Sequence, residues 1–233
     1  MDVLVVDIGG SRVKLLATGA AAARHFDSTP DLTPRTLVDR VLTRVGDWTW
    51  DVVSIAYPGV VGPNGPVKEP GNLGAGWVGF NFTGAFGKPV RLVNDAVMQA
   101  LGGYEGGRML FLGLGTGLGS ALATDHVIVP MELGELPDAS GNTLGDRLGR
   151  PGFDAQPRTA WLEAVNDATT RLRNALAADY VVLGGGNAQH VNPLPPGARR
   201  GAADAAFTGG FRLWEEIVEP HDRQPPLVWR VVP

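Results

Sequence analysis

The chain has 233 residues, of which 44% are hydrophobic and 19% charged, with a formal net charge of −4. That is enough apolar material for two modest lobes or one large domain, and it is not the composition of a disordered chain. No basic block is present to attract nucleic acid or an anionic membrane, and the absence of cysteine removes disulfides, thiolate metal sites and cysteine nucleophiles.

In chain order, Val3 to Ile8 reads as a buried strand and Val13 to Thr18 as its hairpin partner. The run from Met1 enters this strand at once, without a basic or cleavable apolar segment, so no secretory leader is expected. Thr33-Pro34 predicts a helix start, a capping hydroxyl followed by proline in the first turn, with the helix running to about Val45. Val52 to Ala56 predicts another strand. Tyr57 to Gly79 is a long loop rich in Gly, Pro and Asn, and a loop of that length is usually functional. Val90 to Val93 predicts a short strand, followed by Asn94-Asp95 and a helix through about Leu101. Met109 to Leu114 and Ser120 to Thr124 form a second predicted hairpin, and Val127 to Val129 a further strand. Pro137 to Arg158 is irregular or broken helix, Thr159 to Leu176 a helix, and Tyr180 to Leu183 a strand ending in glycines. Ala205 to about Val218 predicts a closing helix, and the tail from Pro220 carries no pattern. No run of about 18 apolar residues occurs, so no membrane-spanning helix is expected.

Glycine supplies 33 residues, clustered where apolar runs end, and such clusters suggest ligand loops. In Asp7-Ile8-Gly9-Gly10-Ser11-Arg12-Val13-Lys14, a carboxylate at a strand end can hold Mg²⁺ through phosphates. Gly9 and Gly10 let backbone N–H groups face phosphate oxygens, Ser11 adds a hydroxyl, and Lys14 or Arg12 adds charge. Taken alone, the stretch more often reads as a plain hairpin turn with an exposed Asp. Leu114-Gly115-Thr116-Gly117-Leu118-Gly119-Ser120 leads into a strand rather than a helix, so it fails the context of a dinucleotide fingerprint and reads better as a phosphate hairpin. Gly184-Gly185-Gly186 after a strand permits close packing of a flat ligand such as adenine. Asp95, between a strand and a helix, has the position of a general base for phosphoryl transfer, although an ordinary helix-capping Asp would look the same. Glu69, Asn72, Glu132 and Glu135 lie on loops whose amides and carboxylates suit a polyhydroxylated ligand, with Trp77 as a loop anchor. Leu4 to Ser11 is echoed by Leu110 to Gly117, which predicts two related α/β lobes offering hairpins to one cleft.

In that order, these stretches resemble the ROK family of repressors and sugar kinases, most closely its polyphosphate-glucokinase branch. The matching segments include Tyr57 to Val61, Asn72 to Phe80, Asn94-Asp95-Ala96, Leu112 to Ser120, Glu132-Leu133-Gly134 and Leu183 to Gly186. The resemblance implies an actin-like, ribonuclease H-like two-lobed sugar-kinase fold. Residues 1–97 would form one lobe, completed by a helix near 205–219, and residues 98–204 the other. It implies transfer of a phosphoryl group from ATP or polyphosphate to a hexose, with Mg²⁺ and without structural zinc, in a cytoplasmic homodimer. Asp7, Gly9, Gly10, Ser11, Lys14, Gly115, Thr116, Gly117 and Gly119 would hold the donor phosphates. Gly184, Gly185 and Gly186 would line the adenosine side. Asn72, Asn94, Asp95, Glu132 and Glu135 would meet the sugar, and Asp95 would be the base. The family's histidine after Glu-Leu-Gly is Glu135 here. This predicts a retuned acceptor pocket in which Glu135 meets solvent, ligand, or Arg147 or Arg150. It leaves open a kinase for an amino sugar or a non-catalytic binder.

Overall fold

A computed structural model describes residues 1–138, 141–217 and 227–232. The first half runs β1 (Val3–Ile8), β2 (Arg12–Ala17), β3 (Arg24–Asp27), α1 (Pro34–Arg44), β4 (Val52–Tyr57), the small hairpin β5 (Val61–Gly62) and β6 (Gly65–Pro66), α2 (Phe82–Phe86), β7 (Val90–Asn94) and α3 (Asp95–Gly103). The second runs β8 (Met109–Leu114), β9 (Leu118–Thr124), β10 (Val127–Met131), α4 (Leu144–Leu148), α5 (Arg150–Ala155), α6 (Arg158–Ala175), β11 (Tyr180–Gly184), β12 (Ala198–Arg200) and α7 (Ala205–Arg212). The short strands β13 (Glu216–Ile217), β14 (Leu227–Val228) and β15 (Arg230–Val231) follow.

The first sheet has the order β3-β2-β1-β4-β7, and the second β12-β11-β8-β9-β10-β15. In each, an antiparallel hairpin (β1–β2, β8–β9) carries a third antiparallel strand on one side and two parallel strands on the other. The same topology is therefore built twice, and β15 extends only the second copy. The central strands β1, β4 and β8 are buried along their whole length, which is why they read as unbroken apolar runs rather than alternating ones.

Each sheet has its own core. Helix α1 starts where Thr33 accepts the Thr36 N–H at 3.2 Å, and it packs Leu37, Val38 and Val41 against Leu4, Val6, Leu15 and Phe26. Helix α6 packs Trp161, Val165 and Leu172 against Leu110, Leu112, Val181 and Leu183. The other faces are exchanged between the halves. Helix α3, which leaves the first sheet, clusters with Phe111, Ala121 and Val182 of the second. Helix α7, which leaves the second sheet, carries Phe207 and Phe211 onto Val3, Val5 and Val52 of the first. The two helices cross with their backbones nearly touching. A β-carbon on Gly102 would lie 1.9 Å from the Ala205 carbonyl oxygen, and one on Gly209 would lie 1.8 Å from that of Met98.

Several elements depart from expectation. Strand β3 has one buried residue, Phe26, because it is a polar sheet edge, and nothing in its pattern announces a strand. Helix α7 ends at Arg212 rather than continuing toward Val218, which lies outside the described residues. The turn that stops it is pinned: Arg91 donates to the Leu213 carbonyl and stacks over Trp214 at 4.2 Å, and the Trp214 indole donates to Ser54 Oγ at 2.9 Å. The tail, expected to be patternless, forms β14 and β15, and β15 joins β10 in parallel. Residues 220–226 of that tail lie outside the described residues.

Candidate active site

Both hairpin turns face one place. In the first, the Gly9 N–H donates to the Arg12 carbonyl at 3.0 Å, closing the turn around Gly10 and Ser11. Asp7 is buried at the end of β1 and sits opposite Lys14 in the strand register, with 3.7 Å between Nζ and Oδ2. Burial pushes the Asp7 carboxyl above its usual range, and the Lys14 ammonium pulls it partly back. In the second hairpin, the Gly115 N–H donates to the Gly117 carbonyl at 3.1 Å. A β-carbon on Gly115 or Gly117 would meet nothing within 4 Å, so this turn presents bare backbone to open space. A β-carbon on Gly10 would lie 3.3 Å from Thr116 Oγ1 and 3.5 Å from Asn72 Nδ2. The fold therefore brings together the first hairpin, the second hairpin and the Asn72 loop.

Asp95 lies beside this junction, near enough to Asp7 for the two charges to interact. Its neighbour Asn94 is the helix cap: Asn94 Oδ1 accepts the N–H groups of Ala96 at 2.9 Å and Val97 at 3.3 Å, while Nδ2 donates to the Gly59 carbonyl at 3.0 Å. Capping by Asn94 leaves Asp95 free of that duty, although its Oδ1 also lies 2.9 Å from the Ala96 nitrogen. Asp95 keeps part of its surface open, yet the protein packed around it pushes its pKa up to about 7. Burial is the main cause, the Asp7 charge adds to it, and backbone N–H groups oppose it. Gly119 lets the first turn of α3 lie on β9, since a β-carbon there would be 3.1 Å from that of Ala96.

The Asn72 loop is stapled at its base. Glu69 accepts the Trp77 N–H at 3.0 Å and the Val78 N–H at 3.3 Å. Trp77 is fully buried, and its indole donates to the Gly74 carbonyl at 2.7 Å, so it anchors the loop as expected. Glu69 corrects expectation: its carboxylate is committed to the backbone of its own loop, not free for a ligand. On the opposite side, Ser120 Oγ donates to the Met131 carbonyl at 2.7 Å and accepts the Leu133 N–H at 3.1 Å, fixing the bend that carries Glu132. Burial raises the Glu132 carboxyl and the Glu135 charge adds to that, while Lys68, from the other half, opposes both.

The remaining residues divide. A β-carbon on Gly184 would meet the Phe111 ring at 2.5 Å, and one on Gly185, at φ 77°, would lie 2.6 Å from the Leu114 carbonyl oxygen, so packing leaves no room for a side chain at either. Gly186 faces open space. Glu135 is exposed, and Arg147 is paired with Asp138 at 3.7 Å rather than with Glu135. Arg150 joins the second hairpin instead, its backbone N–H donating to the Gly115 carbonyl at 2.9 Å. Sequence reasoning missed this docking of α5, as well as the Glu69 staple. Among the described residues, no group of three or more His, Asp or Glu side chains is gathered to hold a metal.

A twice-built α/β sheet with crossed closing helices and two glycine hairpins over one carboxylate is the two-lobed, actin-like architecture of sugar kinases. Solved sugar kinases, ROK proteins among them, share it. The inorganic polyphosphate/ATP-glucomannokinase from Arthrobacter sp. strain KM superposes with a TM-score of 0.76 at 20% identity, over 90% of this chain and 96% of that one. A ROK family glucokinase from Streptomyces griseus, solved with glucose and AMPPNP, superposes with a TM-score of 0.69 at 14% identity, over 90% and 98%. In sequence, the chain is similar to the polyphosphate glucokinase of Mycobacterium tuberculosis, 26% identical over 213 residues that span 82% of this chain and 80% of that protein. No family model matches the chain. Its resemblance is thus to ROK sugar kinases, near the polyphosphate-glucokinase branch.

Proposed function

We propose that the chain is a phosphotransferase that moves a phosphoryl group from ATP or polyphosphate to a hydroxyl of a hexose, with glucose as the first acceptor to test. The observation that supports this most is Asp95, a carboxyl with a pKa of about 7 at the meeting point of both glycine hairpins and the Asn72 loop. A base works best when its pKa lies near the working pH. Asp95 would take the proton of the acceptor hydroxyl as its oxygen attacks the terminal phosphorus and the donor's bridging P–O bond breaks. Backbone N–H groups of Gly9 to Ser11 and Gly115 to Gly117 would face the donor phosphates, with Lys14 adding charge. Asn72 and Glu132 would orient the sugar from opposite halves. Gly186 has the room to border a nucleoside, whereas Gly184 and Gly185 serve packing.

The residues also fit Mg²⁺, which binds through one or two carboxylates together with substrate phosphates. Asp7 is one such carboxylate, buried beside the first hairpin with Lys14 at 3.7 Å to balance it. Bound there, the ion would offset the charge of the donor oxygens. We read residues 1–97 as one lobe and 98–204 as the other, with α7 returning to the first. Approach of the lobes would exclude water, which otherwise competes as acceptor.

The test is a matrix of sugars against ATP and polyphosphate, following donor loss and sugar phosphate together. Donor loss matched by glucose phosphate is expected. Sugar binding without any phosphate transfer would refute the reading in favour of a non-catalytic binder.

A further inference from the structure

The two hairpins are alike in backbone and unlike in charge. The first brings its own cations, Arg12 and Lys14, both exposed. The second brings none: from Met109 to Asp125 the chain has no lysine or arginine. A phosphate chain lying against both turns would meet positive charge on one side only.

The missing charge is supplied from a distant part of the sequence. The joint between α4 and α5 is seated on the second turn so closely that a β-carbon on Gly149 would lie 2.8 Å from the Gly117 Cα and 2.9 Å from the Thr116 carbonyl oxygen. The next residue, Arg150, donates its backbone N–H to the Gly115 carbonyl at 2.9 Å and reaches that of Thr116 at 3.3 Å. These bonds tie the Arg150 Cα to the turn itself, while the side chain remains exposed. The other arginines of this stretch are occupied: Arg147 with Asp138 at 3.7 Å, and Arg158 over the Phe153 ring at 3.7 Å. Arg150 has neither an ion pair nor a ring partner among the described residues.

We infer that Arg150 is a donor-binding residue, a guanidinium held against the second hairpin to engage the phosphate oxygens of ATP or polyphosphate. This rests on the phosphotransferase reading above. A guanidinium suits the task because its planar fork matches a phosphate with two parallel hydrogen bonds. Its recognition is of phosphate rather than nucleoside, so it serves both donors alike.

Arg150→Ala is a clean variant, because the backbone N–H that seats the hairpin is retained. Donor binding to the wild type is measured first without turnover, by titration with a non-hydrolysable ATP analogue and with polyphosphate. In steady state, Arg150→Ala should raise KM for both donors about tenfold or more, with glucose KM and the melting temperature unchanged. Arg150→Lys should recover part of the loss, restoring the charge without the fork. If the wild type binds donor and Arg150→Ala leaves donor KM unaltered, the assignment is overturned and the phosphotransferase reading stands. Equal rises in both KM values with a lowered melting temperature would show a structural role and overturn it too. A wild type that binds neither donor overturns both readings.

Discussion

The raised pKa of Asp95 makes activity and stability opposed, and Asp95→Asn separates them. In the folded chain this carboxyl stands at about 7, against 3.8 for an aspartate in the unfolded chain. Below pH 3.8 both folded and unfolded chains keep the proton, and the site costs nothing. As pH rises, the unfolded chain ionises first, so the fold loses stability until about pH 7, above which the loss is constant. A gap of about 3 in pKa sets a ceiling of roughly 4 kcal/mol. Partial exposure and coupling to Asp7 screen that figure, leaving about 1–2 kcal/mol. Asparagine matches the protonated acid in shape and cannot ionise. Urea unfolding at pH 8 should therefore show Asp95→Asn more stable than the wild type by about 1–2 kcal/mol, and at pH 5 by roughly a third of that. Turnover should fall by at least about 10²-fold, and the wild-type rise in kcat/KM through pH 7 should disappear. A variant with near-normal turnover and no pH-dependent gain in stability would refute both the role of Asp95 and the burial argument behind it.

Three further outcomes follow from the geometry. Gly117→Ala places a methyl where nothing lies within 4 Å, so the melting temperature should hold while donor KM rises several-fold and glucose KM stays put. Glu69→Gln weakens the acceptor of the Trp77 and Val78 N–H groups. Glucose KM should rise, and hydrogen exchange at those two amides should quicken; unchanged exchange would remove Glu69 from its stapling role. Gly209→Ala drives a methyl into the Met98 carbonyl oxygen, and denaturant unfolding should show a loss of about 3 kcal/mol or more, above ordinary overpacking because backbone rather than a side chain must move.

The parts of the fold that were legible in sequence are those whose burial is uniform. Strands β1, β4 and β8 announce themselves as apolar runs, and α1 announces its start through Thr33 and Pro34. Strand β3 stayed hidden because an edge strand needs only Phe26 to be apolar. The length of α7 is decided by Ser54 and Arg91, which lie more than a hundred residues away and contact Trp214. The site divides in the same way. Its glycine hairpins and the Asn94-Asp95 pair are local patterns, but which of those two neighbours caps the helix is a matter of side-chain direction that spacing does not encode. The commitment of Glu69 to its own loop, the pairing of Arg147 with Asp138, and the seating of Arg150 on Gly115 each depend on how chain segments are packed together.

The crossing of α3 and α7 has a mechanical meaning. Two helices meeting backbone to backbone at Gly102 and Gly209 cannot slide past one another without driving a carbonyl into a Cα, so any movement between them would have to be a swivel about the point of contact. Each helix belongs by sequence to one half and by packing to the other, so the crossing behaves as an axle threaded through both. Asp95 lies on α3 seven residues before Gly102, roughly 10 Å up the same rigid rod. A swivel that parts the hairpins by several ångströms at the rim would displace the carboxylate far less, because it rides close to the bearing.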